Sequence, residues 1–304
     1  MNRPLLLLCL FVPIVLGACR QQDASVPANM PIIDMHLHTL WWQPGMTEPL
    51  TGFVAPDTPG ELRRRTIAEL DRYHIVKAVA SGDQIEPYRQ DLGERLLPGI
   101  LIIGRPTVSP EALRAMHQRG ELAVLAEFAP QYAGLAPAAS ELAPYWALAE
   151  ELDLPVGIHM GLGPPGAAYV DFPDYRMQLS NPLQLEDVLI RHPKLRVYVM
   201  HAGWPFLNEM VGLLYAHPQV YVDVAVINWV LPEPEFHAYL RRLVDAGFGS
   251  RIMFGSDNMM WTESFGVAVE RIMSAPFLST DQKRDILCRN AARFLRLSDA
   301  TCQS

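Results

Sequence analysis

The chain has 304 residues, 50% of them hydrophobic, enough for one large α/β barrel or two ordinary domains. Its formal net charge is −8, with no basic run longer than the three arginines at 63–65. Holding a polyanion by phosphate neutralisation needs clustered Lys and Arg, so a nucleic-acid partner is excluded as a first reading and small substrates are favoured.

In chain order, MNRPLLLLCLFVPIVLGAC (1–19) combines Arg3, an apolar run over about residues 5–16, and the small residues Gly17 and Ala18. This is the plan of an export signal, with an apolar run shorter than the roughly 20 residues of a membrane-spanning helix. The stretch LGAC (16–19) resembles the lipobox of bacterial lipoproteins. The resemblance implies removal of residues 1–18, lipid attached to Cys19, and a membrane-anchored protein facing the periplasm or the exterior. Residues 19–30 then read as a polar tether. With Cys9 removed and Cys19 lipidated, Cys288 and Cys302 remain. In an oxidising compartment they can pair, closing a short loop worth up to about 3 kcal/mol; the other reading is two free thiols.

From residue 31, short β-rich runs alternate with helical patterns. The runs are PIIDMHLH (31–38), VKAVASG (76–82), PGILIIG (98–104), LAVLAEF (122–128), LPVGIHM (154–160), LRVYVMH (195–201), VYVDVAVI (220–227) and RIMFGSD (251–257). The helical patterns include TPGELRRRTIAELDRY, SPEALRAMHQRG with Ser109 as a cap and Pro110 in the first turn, and EPEFHAYLRRLVDAGFG stopping at glycine. Eight strands and no dividing linker predict an α/β fold, a (β/α)8 TIM barrel forming a single domain over 31–297. STDQKRDILCRNAARFLRL reads as a last helix packed outside the barrel, followed by a tail at 298–304. Two connections, about 39–59 and 161–182, are too long for plain turns and follow strand C-termini, where such barrels build their sites.

Strand alternation sends His36 and His38 to one face, taken as the interior, with Asp34 one step deeper, and Met35 and Leu37 to the other. His159 and His201 end the fifth and sixth runs, Glu127 closes the fourth, Asp257 closes the eighth, and Asp223 lies within the seventh. His74, His117, His192, His217 and His237 fall on helices and read as structural. Four imidazoles and a carboxylate meeting at one rim suit a divalent transition metal such as zinc, since a buried imidazole cluster is costly unless it shares a cation.

At this point DMHLH, GIHMG, VMHAGWP and FGSDN, in that order and with CRNAARFLRL near the end, resemble the amidohydrolase superfamily. The match is to its amidohydrolase-related branch of metal-dependent hydrolases, which also contains decarboxylases. The resemblance covers about residues 31–295 and implies His36, His38, His159 and Asp257 around one metal. His201 would be a further ligand or a catalytic group beside it. Glu127 has three readings: a bridge between two ions, a contact to substrate or to the ligands, or a stabiliser of the barrel. Asp223 is taken as an interior hydrogen-bonding residue beneath the rim.

The expected activity is hydrolysis of a small amide, lactone or other ester by metal-activated water, with one or two ions. Asp257 would move the proton, and His201 would help to stabilise the oxyanion. The alternative is metal-dependent decarboxylation of an unsaturated or aromatic acid, for which Arg176 is the one basic candidate to hold the substrate carboxylate. Trp42 and Trp204 are candidates to flank an apolar substrate. A further alternative is a non-catalytic metal-binding lipoprotein. GLGPPG (161–166) matches a dinucleotide fingerprint, but loop follows it where a helix is required, so it reads as a substrate loop.

Overall fold

A computed structural model describes residues 30–303; the expected signal, Cys19 and almost all of the tether lie outside the described residues. Among the described residues nine short strands form, β1 (Ile32–His38), β2 (Ile75–Ser81), β3 (Leu96–Pro98), β4 (Ile102–Ile103), β5 (Leu125–Ala129), β6 (Val156–His159), β7 (Val197–Met200), β8 (Val220–Asp223) and β9 (Ile252–Met253). All ladders are parallel, in the orders β1-β2-β3 and β4-β5-β6-β7-β8-β9.

The ninth strand arises because the third predicted run is broken in the middle. Gly99 bridges Val124 and donates to Ala80 O at 2.7 Å, so the run still joins β2 to β5. A Cβ at Gly99 would stand 2.7 Å from Ala126 O, and glycine permits that approach. Hydrogen bonds from Met35 N to Phe254 O (3.0 Å) and from Asp257 N to His36 O (2.6 Å) close the ring between β9 and β1. The result is a TIM-barrel-like α/β fold.

The helices are α1 (Pro59–Arg72), α2 (Ile85–Leu92), α3 (Pro110–Gln118), α4 (Ala143–Glu151), α5 (Glu186–Arg191), α6 (Leu207–Ala216), α7 (Ile227–Val230), α8 (Glu233–Leu243), α9 (Ser264–Met273), α10 (Thr280–Arg284) and α11 (Asn290–Leu295). Thr58 and Ser109 accept hydrogen bonds from Glu61 N and Ala112 N, capping α1 and α3, and proline follows each cap.

Two expectations change. Alternation does not run the length of β1, whose register shifts between Asp34 and Leu37. Met35 packs with Val124, Tyr198 and Met253, residues of distant strands that can meet only across the barrel interior, while Leu37 joins the outer core. The last helical segment also does not lie along the outer wall. Cys288, Ala291, Ala292 and Phe294 pack against Ile33, Met35 and Tyr198, and Asn290 Nδ2 donates to Ile252 O at 2.7 Å. These contacts are at strand N-termini, so the segment 285–289 and α11 cap the end opposite the histidines. Cys288 and Cys302 form a disulfide that pins the turn at Asp299–Cys302, so the expected tail is tied to this cap.

Candidate metal centre

The C-terminal ends of the strands bring six expected residues together. His36 and His38 close β1, Glu127 is on β5, His159 closes β6, His201 follows β7, and Asp257 lies four residues past β9. All six are buried, as is Asp223 at the end of β8. Seven titratable groups without access to water need partners or a shared ion.

Backbone carbonyls fix the hydrogens on two of the rings. Nε2 of His159 lies 2.6 Å from Leu162 O, and Nδ1 of His201 lies 3.1 Å from Ala225 O. A carbonyl only accepts, so each of those nitrogens carries the hydrogen, and in the neutral ring the other nitrogen offers a lone pair. Those free nitrogens face each other at 3.2 Å, and Glu127 Oε1 approaches the same nitrogen of His159. Three acceptors, Glu127, His159 and His201, therefore converge with no hydrogen between them. This is a fit for a cation.

A second convergence is adjacent. Nδ1 of His36 donates to Asp223 Oδ2 at 3.2 Å, which turns Nε2 towards Nε2 of His38, also at 3.2 Å. Oδ1 of Asp257 lies 3.1 Å from that nitrogen of His38 and accepts no well-aligned hydrogen bond. Oε2 of Glu127 is 3.5 Å from His36 Nε2 and 3.3 Å from His38 Nε2. Glu127 thus gives one oxygen to each group of donors. His159 groups with Glu127 and His201, beside the group of His36, His38 and Asp257.

Without a cation, protons take its place. Burial opposes charge on His38, but its contacts with Asp257 and Glu127 outweigh that and raise the ring to about 9. Burial also opposes charge on His36, yet the Asp257 charge and the bonds to Asp223 and Glu127 hold it well above the ordinary histidine value. Burial disfavours ionised Asp257 too, but the charge of His36, then contact with His38, lower it to about 2. Glu127 is held well below the carboxylate range against its burial, chiefly by His159. Burial, with His159 beside it, pushes His201 down to about 4. Negative carboxylates around neutral or proton-bearing rings are the donor set a divalent ion prefers.

Some expected residues do not join this centre. Arg176 is exposed and its guanidinium donates to Pro173 O (2.8 Å) and Tyr175 O (2.7 Å), so it is committed to its own loop. Trp42 is half exposed, its backbone N–H directed to Met260 Sδ. Trp204 follows His201 by three residues, and its indole N–H donates to Glu235 at 3.1 Å. His117, His192, His217 and His237 pair with Leu122 O, Glu150, Glu186 and Arg271 O, away from the cluster.

Other participants were not read from the sequence as site residues. Asp223 is at the rim because β8 stops there, and it accepts from His201 N at 2.8 Å as well as orienting His36. An acid inside an apolar run was its signal, since a buried carboxylate requires donors. Asn258 accepts from His38 N at 2.9 Å, and Asp34 accepts from His36 N and Ser256 N. Tyr132 sets its ring edge-on to His159 at 5.4 Å; nothing in its sequence context marks it.

Comparison with known proteins identifies the family and the fold. The sequence profile of the amidohydrolase family matches residues 33–297. Protein fluG of Emericella nidulans is 22% identical over 121 residues, 40% of this chain, which spans only 13% of that protein's length. A probable 2-pyrone-4,6-dicarboxylic acid hydrolase from Acinetobacter baumannii superimposes with a TM-score of 0.60 at 14% identity, over 88% of this chain and 99% of that one. A 2,6-dihydroxybenzoate decarboxylase from Rhizobium gives 0.59 at 13% identity, over 88% and 98%. At such identities the two structures share the fold.

Proposed function

The chain belongs to the amidohydrolase family of metal-dependent enzymes, and from that premise we propose that it hydrolyses an ester, lactone or amide bond of a small molecule at the buried histidine cluster. The observation that carries this reading is the convergence of Glu127, His159 and His201 lone pairs beside a second set from His36, His38 and Asp257. Each set would hold one divalent ion, with Glu127 offering an oxygen to both, and zinc suits such nitrogen and oxygen donors. Ions held there supply Lewis-acid polarisation of the scissile carbonyl and bring the pKa of water towards about 7.

The protein's own groups have distinct tasks. Asp257 is anionic at neutral pH and keeps one oxygen without a well-aligned hydrogen bond. It accepts the proton of the attacking water and returns it to the leaving oxygen or nitrogen. Asp223 keeps His36 in one tautomer, and the carbonyls of Leu162 and Ala225 do the same for His159 and His201. Tyr132, Phe172 and Tyr175 pack together on the His159 side and shield it from bulk water.

Decarboxylation is the second chemistry that the family accommodates. It needs a cation for the substrate carboxylate; Arg176 turns to its own loop carbonyls and the ions themselves would have to serve, so hydrolysis is the reading we favour. Export remains part of the proposal: the Cys288–Cys302 disulfide supports an oxidising compartment, in keeping with the lipobox-like LGAC. The test is elemental analysis of protein purified without added metal or chelator, joined to a panel of neutral esters, lactones and amides. About two ions per chain, and hydrolysis lost on chelation and regained with zinc, are expected. Release of carbon dioxide from carboxylates without hydrolysis would assign the decarboxylase instead.

A further inference from the structure

The end of the barrel opposite the histidines has a charge pattern of its own. Between Thr280 and Gln303 the chain carries five basic side chains, Lys283, Arg284, Arg289, Arg293 and Arg296, against three acidic ones, whereas the whole chain has net charge −8. Arg289, Arg293 and Arg296 recur at the spacing of one helical face, are exposed, and line a solvent-facing pocket of about 540 Å³. Among the described residues that line it, Asp299 is the one acid. The Cys288–Cys302 disulfide holds the turn that brings Asp299 and Cys302 to the pocket wall.

The three guanidinium groups are only partly used. Among the described residues, Arg289 meets Asp285 and Asp281 through Nη1, at 3.4 and 3.5 Å. Arg293 donates through Nη2 to Ser250 O and Asn290 Oδ1, and Arg296 meets Asp153 through Nη1. Each therefore commits one nitrogen there and has two more to offer. Three such groups around one pocket suit phosphate, whose oxygens take paired N–H donors.

The chain enters the barrel at this same end. Ile33, near the start of β1, packs against Ala291, Ala292 and Phe294, the neighbours in sequence of Arg293. Met30 follows Cys19 by 11 residues, a span of at most about 40 Å. A lipid at Cys19 would hold the barrel near a bilayer without choosing which face meets it. Charge makes that choice. At the histidine end the connections expose Asp57, Asp83, Asp171, Asp174 and Glu263, and their basic residues are Arg176 and Arg105, which Glu141 neutralises. An anionic surface repels that end and attracts the arginines.

We propose that the arginine face seats the protein on the phosphates of an anionic phospholipid bilayer, with the metal centre turned away from the membrane. The tether argument rests on the export reading; the arginine face stands without it.

The chain from residue 20, which carries no lipid and keeps every strand and helix described above, tests the face by itself. With its metal as purified, it is sedimented with phosphatidylcholine vesicles and with vesicles of equal parts phosphatidylcholine and phosphatidylglycerol. Binding to the mixed vesicles should be at least about fivefold tighter and should weaken as salt is raised. Arg289→Gln should weaken it about fivefold at unchanged metal content and melting temperature, and Arg289→Lys, which keeps the charge, should not. Equal binding to both kinds of vesicle would overturn the proposal, as would an Arg289→Gln chain that binds like the wild type. Inorganic phosphate, followed by phosphorus NMR with the same variants, separates a free anion from a lipid headgroup. Phosphate binding that needs Arg289, without preference for the mixed vesicles, would assign the pocket to a soluble anion and overturn the membrane face. Mass spectrometry of Cys19 in the full chain reports separately on export: an unmodified Cys19 together with selective vesicle binding would remove the anchor and leave the face.

Discussion

Asp223 Oδ2 lies 3.2 Å from Nδ1 of His36, and its other oxygen accepts from His201 N. One carboxylate therefore orients a ring from β1 and fixes the backbone after β7. Asp223→Asn keeps the shape and can keep a carbonyl on His201 N, but it turns an amide N–H towards His36 and moves the ring's hydrogen to Nε2. Metal affinity should fall about 10- to 100-fold with the fold intact. Competition with a chelator measures it; unchanged affinity would remove Asp223 from the metal centre.

Asp257 is the group assigned to proton movement. In Asp257→Asn the five other donors remain, so metal should be largely retained while turnover drops by about 10²- to 10⁴-fold. Turnover near that of the wild type would end this assignment.

Glu127 gives one oxygen to each set of donors, at 3.3 and 3.5 Å from the β1 histidines and in contact with His159. Glu127→Gln should lower the metal content from about two ions per chain to about one, because a neutral amide is a poor bridge. A wild-type chain that never exceeds one ion would instead return Glu127 to substrate or to support of the ligands.

Protons and metal compete for His36 and His38. His38, raised to about 9, and His36, held well above its ordinary value by Asp257, Asp223 and Glu127 against its burial, carry protons at neutral pH in the metal-free chain. A raised histidine adds stability below its unfolded value near about 6.5 and loses it as pH climbs through the folded value. Metal takes only the deprotonated ring, so its affinity should rise with pH up to about 9 and its uptake should release protons. Calorimetric titration in two buffers of different ionisation enthalpy counts those protons. Identical heats in both would contradict the shifts.

The disulfide joins residues 14 apart and ties the C-terminal turn to the cap beneath the barrel. Cys302→Ser should cost about 3 kcal/mol or less of stability. Because the bridge sits at the end opposite the histidines, metal content should not change. Thermal denaturation with and without reductant checks the first, elemental analysis the second.

Much of this was legible in the chain itself. Period-two and helical patterns identified the barrel, and His36, His38, His159, His201, Glu127 and Asp257 could be placed at one rim because each falls at or near the C-terminal end of a predicted strand. The caps at Ser109 and Pro110 were readable for the same reason: local hydrogen-bonding chemistry depends on neighbours in sequence. The metal-binding class followed from residue type, since imidazoles and carboxylates brought together out of water require a cation.

Tertiary structure decided what depends on partners far apart in the chain. Two sets of donors formed because the Leu162 and Ala225 carbonyls fix the tautomers of His159 and His201. The register shift in β1 put Met35 in the interior against simple alternation, and the Gly99 break followed from the nearness of the Ala126 carbonyl. Arg176 was a candidate to hold a substrate carboxylate, and which groups its guanidinium meets, the carbonyls of Pro173 and Tyr175, is set by the fold of its loop. A residue's type sets which bonds it can make, but which bonds it does make depends on the distances that packing imposes between segments the sequence keeps apart.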